Sequence, residues 1–351
     1  MNIVFFSYQG YYDSFRSDVL SVIEIINSYF KNKISFDFYT DQKKIVNSST
    51  QLITENFFQK TIRTYKGLFA DQIKAKMSKI NLQTRARLLK CLPYDLVIQP
   101  VIMYHEMTSS LKGIQVPDVR LYLCRETRMR PVSLKRDTFY PERDFEVIAD
   151  ETIYPTAYMK NVLHLFLETA EKRHAETVDM ILPVTLKSSF DKKWASLFET
   201  MTQEMKMPSR ILTVQDFWES FIETPKKFRW IFAPDPLCDV LFYSLNVLLN
   251  KSLFSCSVLL TQENKFYLEN VSEFYKGLPN YRSPLTSYHA LAMMYDLLDM
   301  AIPARILRRG INEAISKGWL TPEMGGTMNA SEVSNLYASF IDRELSEMNR
   351  Y

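Results

Sequence analysis

The sequence is poor in glycine, with only 8 glycines among 351 residues. Enzymes that hold phosphates or dinucleotides against bare backbone use glycine at the contact points, so this scarcity argues against a glycine-rich nucleotide loop. Cysteine is also scarce, and its four residues are spread along the chain without a C-x-x-C pair. That spacing excludes a recognisable zinc or redox motif.

Long apolar runs and an excess of one charge are missing as well. No run reaches the roughly 18 apolar residues of a membrane span, so we expect no direct membrane span. The net charge is only +3, and the interleaved basic and acidic residues give no reason to expect a nucleic-acid partner. An apolar run, residues 3–6, opens the chain, so we expect no cleaved targeting peptide.

What is present is typical of a folded α/β protein, with 46% hydrophobic residues and 13% aromatic residues. The apolar run at residues 3–6 predicts a buried strand, and apolar residues at helical spacing between 19 and 30 predict a helix. Alternating residues at 34–38 predict a second strand. A strand, a helix and a strand within about 38 residues indicate a βαβ unit and a parallel sheet.

Two later segments bear on assembly. Residues 128–155 contain two proline turns and several charges, a pattern that suits an arm of two strands. Residues 239–249 are apolar on nearly every side of a predicted helix, so we expect this helix to be buried on both sides, in part by a subunit interface. The expected interface residues are Trp218, Phe221, Val240, Val247 and Leu248.

The C-terminal region carries a resemblance to a known family. The run T-P-E-M-G-G-T at 321–327, followed by S-E-V at 331–333, resembles the T-P-D-L-G-G-T…S-E-V signature of isocitrate dehydrogenases. Segments 283–294, 228–241 and 125–127 resemble that family's N-P…A-M-M-L, F-D-V-I-V-T-x-N-L-F-G-D-I-L and R-E-N-T runs, in the same order. The similarity to the isocitrate/isopropylmalate dehydrogenase family covers nearly the whole chain.

This resemblance implies the family's α/β fold, with two sub-domains around a mixed sheet and a dimerisation arm. Residues 1–95 with 235–351 are expected to form the large domain. Residues 96–234 are expected to form the small domain, which carries the clasp-like arm at about 128–155 and the interface helices.

Family enzymes oxidise a 2-hydroxy acid with a nicotinamide cofactor and then decarboxylate it. Of three substrate arginines, only the one at Arg125 is retained, because the family's L-R-P-x-R run is matched by uncharged residues 98–102. Val132 stands at the position of the family's proton-transfer tyrosine. Leu182 stands at the position of the catalytic lysine.

The implied metal and cofactor positions are also altered. Asp239 retains the first metal-binding carboxylate, but Tyr243 replaces the second and Gln215 replaces the one lent by a partner subunit. The cofactor loop is replaced by residues that include Asn270, Val271 and Glu273. We therefore expect no bound cofactor and no metal.

These substitutions predict a pseudoenzyme that acts as a structural or interaction subunit of a larger complex. An alternative is a non-catalytic regulatory subunit of an NAD-dependent isocitrate dehydrogenase, and a third interpretation is an active dehydrogenase of unusual specificity. The expected partner is protein, either a second copy or a related chain. The resemblance implies the matrix side of the mitochondrion, with the cytoplasm as the alternative.

Overall fold

The computed structural model divides the chain into two units. It describes residues 1–7, 12–31, 33–40, 50–52, 64–72, 94–104, 119–127, 134–142, 145–152, 154–183, 188–250, 254–271 and 283–348. Unit 1 comprises residues 1–93, 98–122 and 240–351, and unit 2 comprises 94–97 and 123–239. Residues 98–122 thus group with unit 1, whereas the sequence interpretation placed them in the smaller domain.

Strands predominate in the first half of the described chain and helices in its last part. The strands are β1 Asn2–Ser7, β2 Ser35–Thr40, β3 Thr50–Leu52, β4 Gly67–Gln72, β5 Tyr94–Ile102, β6 Arg120–Glu126, β7 Leu134–Glu142, β8 Phe145–Thr152, β9 Val178–Leu182, β10 Ser209–Thr213, β11 Trp230–Phe232, β12 Cys256–Thr261 and β13 Phe266–Val271. The helices are α1 Tyr12–Tyr29, α2 Thr156–Lys172, α3 Ser189–Glu204, α4 Val214–Glu223, α5 Leu237–Asn250, α6 Pro284–Leu297, α7 Ala301–Ser316 and α8 Ala330–Met348.

Unit 1 contains a mixed run of strands in the order β5, β12, β13, β4, β1, β2, β3, with β5 represented by its residues 98–102. Strand β1 pairs in parallel with β2 and β4, and β4 pairs in parallel with β13. Strand β12 runs antiparallel to β13. This pattern confirms the expected βαβ start and the mixed sheet. Phe5 packs on Phe38 and Phe69 at ring centroid distances of 5.4 and 5.6 Å, because alternate residues of neighbouring strands share one face.

Unit 2 contains the strands β10, β9, β11 and β6 in that order, with β6 represented by its residues 123–126. Strand β9 pairs in parallel with both β10 and β11. The core of this unit is aromatic, with Trp194 of α3 packed 5.1 Å from Phe232 of β11 and Phe166 of α2 packed 5.6 Å from the same ring. Strands β7 and β8 pair only with each other among the described strands, as an antiparallel ribbon within the segment predicted to be an arm.

The turn after α7 contains the glycines of the signature-like run. Gly325 has φ +90°, which favours glycine because a Cβ is strained there. A Cβ on Gly326 would lie 2.0 Å from the carbonyl oxygen of Leu320, so the close passage of the chain requires glycine. Asn329 and Glu332 then cap α8 through reciprocal bonds, each side chain accepting from the other residue's backbone N–H.

Helix α5 is buried on one side within this chain. Cys238, Leu241, Phe242, Leu245 and Leu249 are buried, but a stripe on the other side is exposed. The chain itself therefore buries one side of the helix, and burial of the other side by a neighbouring chain stays a prediction. No described helix is long and apolar enough to cross a membrane.

Candidate functional site

The candidate site lies in unit 2, where strand β6 ends. Thr127 follows that strand, and its N–H donates to the carbonyl of Asp95 at 3.1 Å, while the N–H of Ala233 after β11 donates to the carbonyl of Cys124 at 2.9 Å. These bonds hold Arg125 and Glu126 beside the segment that leads from β11 into α5. The ends of strands are where α/β folds place their ligands.

Arg125 is the positive centre of this site, with 15% of its side chain exposed. Its Nε lies 3.0 Å from Oδ1 of Asp239 and 3.9 Å from Oδ1 of Asp235. Its Nη1 also donates to the carbonyl oxygen of Glu126 at 3.0 Å. Arg125 therefore pairs with two aspartates that follow β11 in the chain.

Two acidic side chains lie on the buried side of the site. Glu126 is fully buried, and its Oε1 accepts a hydrogen bond from the backbone N–H of Asp235 at 3.1 Å. The Asp235 side chain is also almost buried. Asp235 was not predicted as a site residue. A signal was available in the sequence, since Asp235 lies one helical turn before Asp239 at the start of a predicted helix.

Buried thiols and hydroxyls surround this charged group. Burial raises the pKa of the Cys124 thiol well above its usual range, and the nearby Cys238 thiol adds to the effect. Burial also raises the pKa of Tyr158 to about 12, with a smaller opposing contribution from its hydrogen bond with Thr127. At neutral pH these groups are therefore uncharged, and they supply neither a ready nucleophile nor a ready base.

The metal positions implied by the resemblance do not fit a divalent ion. Asp239 is engaged by Arg125, and Tyr243 occupies the next turn of the helix without a carboxylate. Gln215 lies exposed in the first turn of α4, where its amide donates to Glu219 at 2.9 Å. No group of three or more His, Cys, Asp or Glu residues suited to a metal ion occurs within the described residues.

The proton-transfer and cofactor positions are only partly described. Leu182 is buried at the end of β9, and Asn270 is buried near the end of β13. Val132 and Glu273 lie outside the described residues, as does the side chain of Val271. Ser283, at the start of the segment that resembles the family's N-P…A-M-M-L run, caps α6 by accepting from the N–H of Leu285.

The predicted interface residues separate into two groups. Val240 and Val247 are 61% and 55% exposed, and Tyr243 between them is 43% exposed. These three residues form one stripe of α5, called here the α5 face. Leu248 is half-buried.

The aromatic residues of α4 behave differently. Trp218 is half-buried and Phe221 is buried, because Phe221 packs within its own unit on Phe217 and Phe228, at ring distances of 5.3 and 5.9 Å. Phe221 is therefore a core residue of unit 2, which corrects its prediction as an interface residue.

Comparisons with known proteins identify the fold. No protein-family model and no curated protein sequence matches the chain. Among solved structures, it resembles a β-decarboxylating dehydrogenase of Thermococcus kodakarensis, with a TM-score of 0.72, 14% identity, and coverage of 100% of this chain and 98% of that one. It also resembles the isocitrate dehydrogenase of Methylococcus capsulatus, with a TM-score of 0.71, 13% identity, and coverage of 97% and 99%.

This finding overturns the prediction that the chain is not an enzyme. Both solved structures are those of dehydrogenases, and they match from end to end. The pseudoenzyme prediction relied on sequence positions alone, several of which lie outside the described residues, and nothing in the described part of the chain shows inactivity. The full-length likeness confirms the resemblance inferred from the sequence motifs: the chain has the fold of the isocitrate and isopropylmalate dehydrogenases.

Proposed function

We propose that this chain is a subunit of a dehydrogenase-type assembly and that it pairs with a second protein chain through the α5 face. The partner is a second copy of the chain or a related subunit. Pairing would complete a site of which this chain supplies Arg125 and its carboxylate neighbours. A location on the matrix side of the mitochondrion stays a prediction from the resemblance.

The observation that carries this proposal is the exposure of the α5 face. Val240, Tyr243 and Val247 lie on successive turns, so their side chains form one continuous apolar stripe. The other side of α5 is buried, and the helix is therefore held firmly in place. Exposed apolar area costs roughly 25 cal/mol per Å², and contiguous apolar patches on soluble proteins mark sites of association.

The fold supports the oxidoreductase part of the proposal. Both solved structures named above are dehydrogenases, and the present chain matches almost their entire lengths. The charged site of unit 2 keeps a guanidinium, the group that binds carboxylates best, and a carboxylate ligand would take the place of Asp239 on it. A partner chain that brings a proton-transfer group to this site would supply what Leu182 does not.

The proposal is tested by measuring the molar mass of the purified full chain in solution by light scattering after gel filtration. We expect a dimer or larger species at micromolar concentration. Val247→Asp should shift it to monomer, because a buried unpaired carboxylate opposes association. Ile302→Asp is the matched control, since Ile302 is also an exposed apolar residue of unit 1 but lies on α7.

Two outcomes would contradict the proposal. The pairing proposal would be overturned if the wild-type chain were monomeric and no related subunit co-purified with it from its native source. Equal dissociation of the assembly by Val247→Asp and Ile302→Asp would show that the effect of the added charge does not depend on its position. The α5 face would then lose its assigned role. Circular dichroism of both variants verifies that each remains folded.

A second candidate function is oxidation of a small 2-hydroxy acid by the assembled protein. The observation in its favour is Arg125, which is only partly exposed and lies at the end of β6. A single guanidinium binds one carboxylate well, so the substrate class is a monocarboxylate 2-hydroxy acid rather than a tricarboxylate. Such a carboxylate would compete with Asp239 for Arg125.

Steady-state assays of the assembled protein with a nicotinamide cofactor test this candidate. We expect Arg125→Lys to raise KM for the acid at least about tenfold, because an ammonium group cannot make the bidentate contact. The exposed Arg229 of unit 2 provides the control variant Arg229→Lys, which should leave KM unchanged. Absence of turnover with any monocarboxylate 2-hydroxy acid, or an unchanged KM in Arg125→Lys, would rule the candidate out.

A further inference from the structure

No further inference is drawn: the strongest candidate, the buried pair of Tyr104 and His289 beside Arg308 in the core of unit 1, is distinguished by a shifted histidine pKa, and nothing in the part of the chain that the structure describes points to a ligand for it.

Discussion

At the scale of single residues, the buried polar groups of unit 1 are held by short-range partners. The hydroxyl of Tyr104 and Nδ1 of His289 are 2.7 Å apart, and the ring of Phe254 packs against both side chains. Arg308 is buried nearby and forms an ion pair with Asp296. A neutral histidine fits this environment, because a second buried positive charge near Arg308 would be desolvated and repelled.

His289 therefore makes folding sensitive to acid. Burial, with a further contribution from the charge of Arg308, lowers the pKa of His289 to about 3. The unfolded chain has a histidine pKa of about 6.5, so it binds this proton first as pH falls. The contribution of neutral His289 to stability is complete above about pH 6.5 and is lost progressively as pH falls toward 3, by at most about 1.4 kcal/mol per pH unit.

The variant His289→Gln isolates this effect, because it removes the titrating group and keeps a hydrogen-bond acceptor for Tyr104. We expect denaturant unfolding between pH 7 and pH 4 to show a shallower loss of stability in His289→Gln than in the wild-type chain. His164→Gln provides the control, since the His164 side chain is 64% exposed. Equal pH slopes in all three proteins would contradict the assignment.

At the scale of elements, one charged pair joins strand β10 to strand β9. Its two residues are register partners in the two strands. Arg210 lies opposite Asp179, and its Nε and Nη2 donate to the two carboxylate oxygens at 2.7 and 2.9 Å. The guanidinium also lies 5.0 Å over the ring of Phe228. Burial raises the pKa of Asp179, while Arg210 acts in the opposite direction. The pair thus fixes the register of the two strands and gives a buried acid a bidentate partner.

Removal of Arg210 should destabilise unit 2. Arg210→Ala leaves the fully buried Asp179 without its bidentate partner, and we expect a loss of about 1–3 kcal/mol in the free energy of unfolding. This lies below the range for fully buried pairs because Arg210 is itself partly exposed to solvent. Urea unfolding measures the loss, and Arg229→Ala, which removes an exposed arginine, is the control with an expected change below about 0.5 kcal/mol.

At the scale of the whole molecule, the architecture was easier to predict from the sequence than the contacts between side chains were. The strands at the start of the chain, the arm segment and the late helices follow from local periodicity, and each has its expected type. The signature-like turn was recognisable in the sequence because its backbone geometry requires glycine at Gly325 and Gly326. The full-length fold followed from the order of such segments.

The site was harder to predict because its members are distant in sequence. Arg125 and Asp239 are 114 residues apart, and only the order of strands β6 and β11 brings them together. Periodicity alone also did not separate the exposed Val240 from the buried Phe221, since both belong to helices with abundant apolar residues. Burial depends on which neighbours arrive from elsewhere in the chain, and a single sequence does not contain that information directly.

The burial of helix α6 has a consequence for how unit 1 unfolds. Of its 14 residues, all but Asp296 are buried, and its Tyr288 stacks on Tyr337 of α8 at 4.0 Å. An amide hydrogen exchanges with solvent deuterium only when its hydrogen bond opens, so amides in the interior of α6 should exchange only through global unfolding. Mass spectrometry should find peptides from α6 among the last to gain deuterium and those from β10 among the earlier ones. Fast exchange throughout α6 would mean that unit 1 opens locally at its centre.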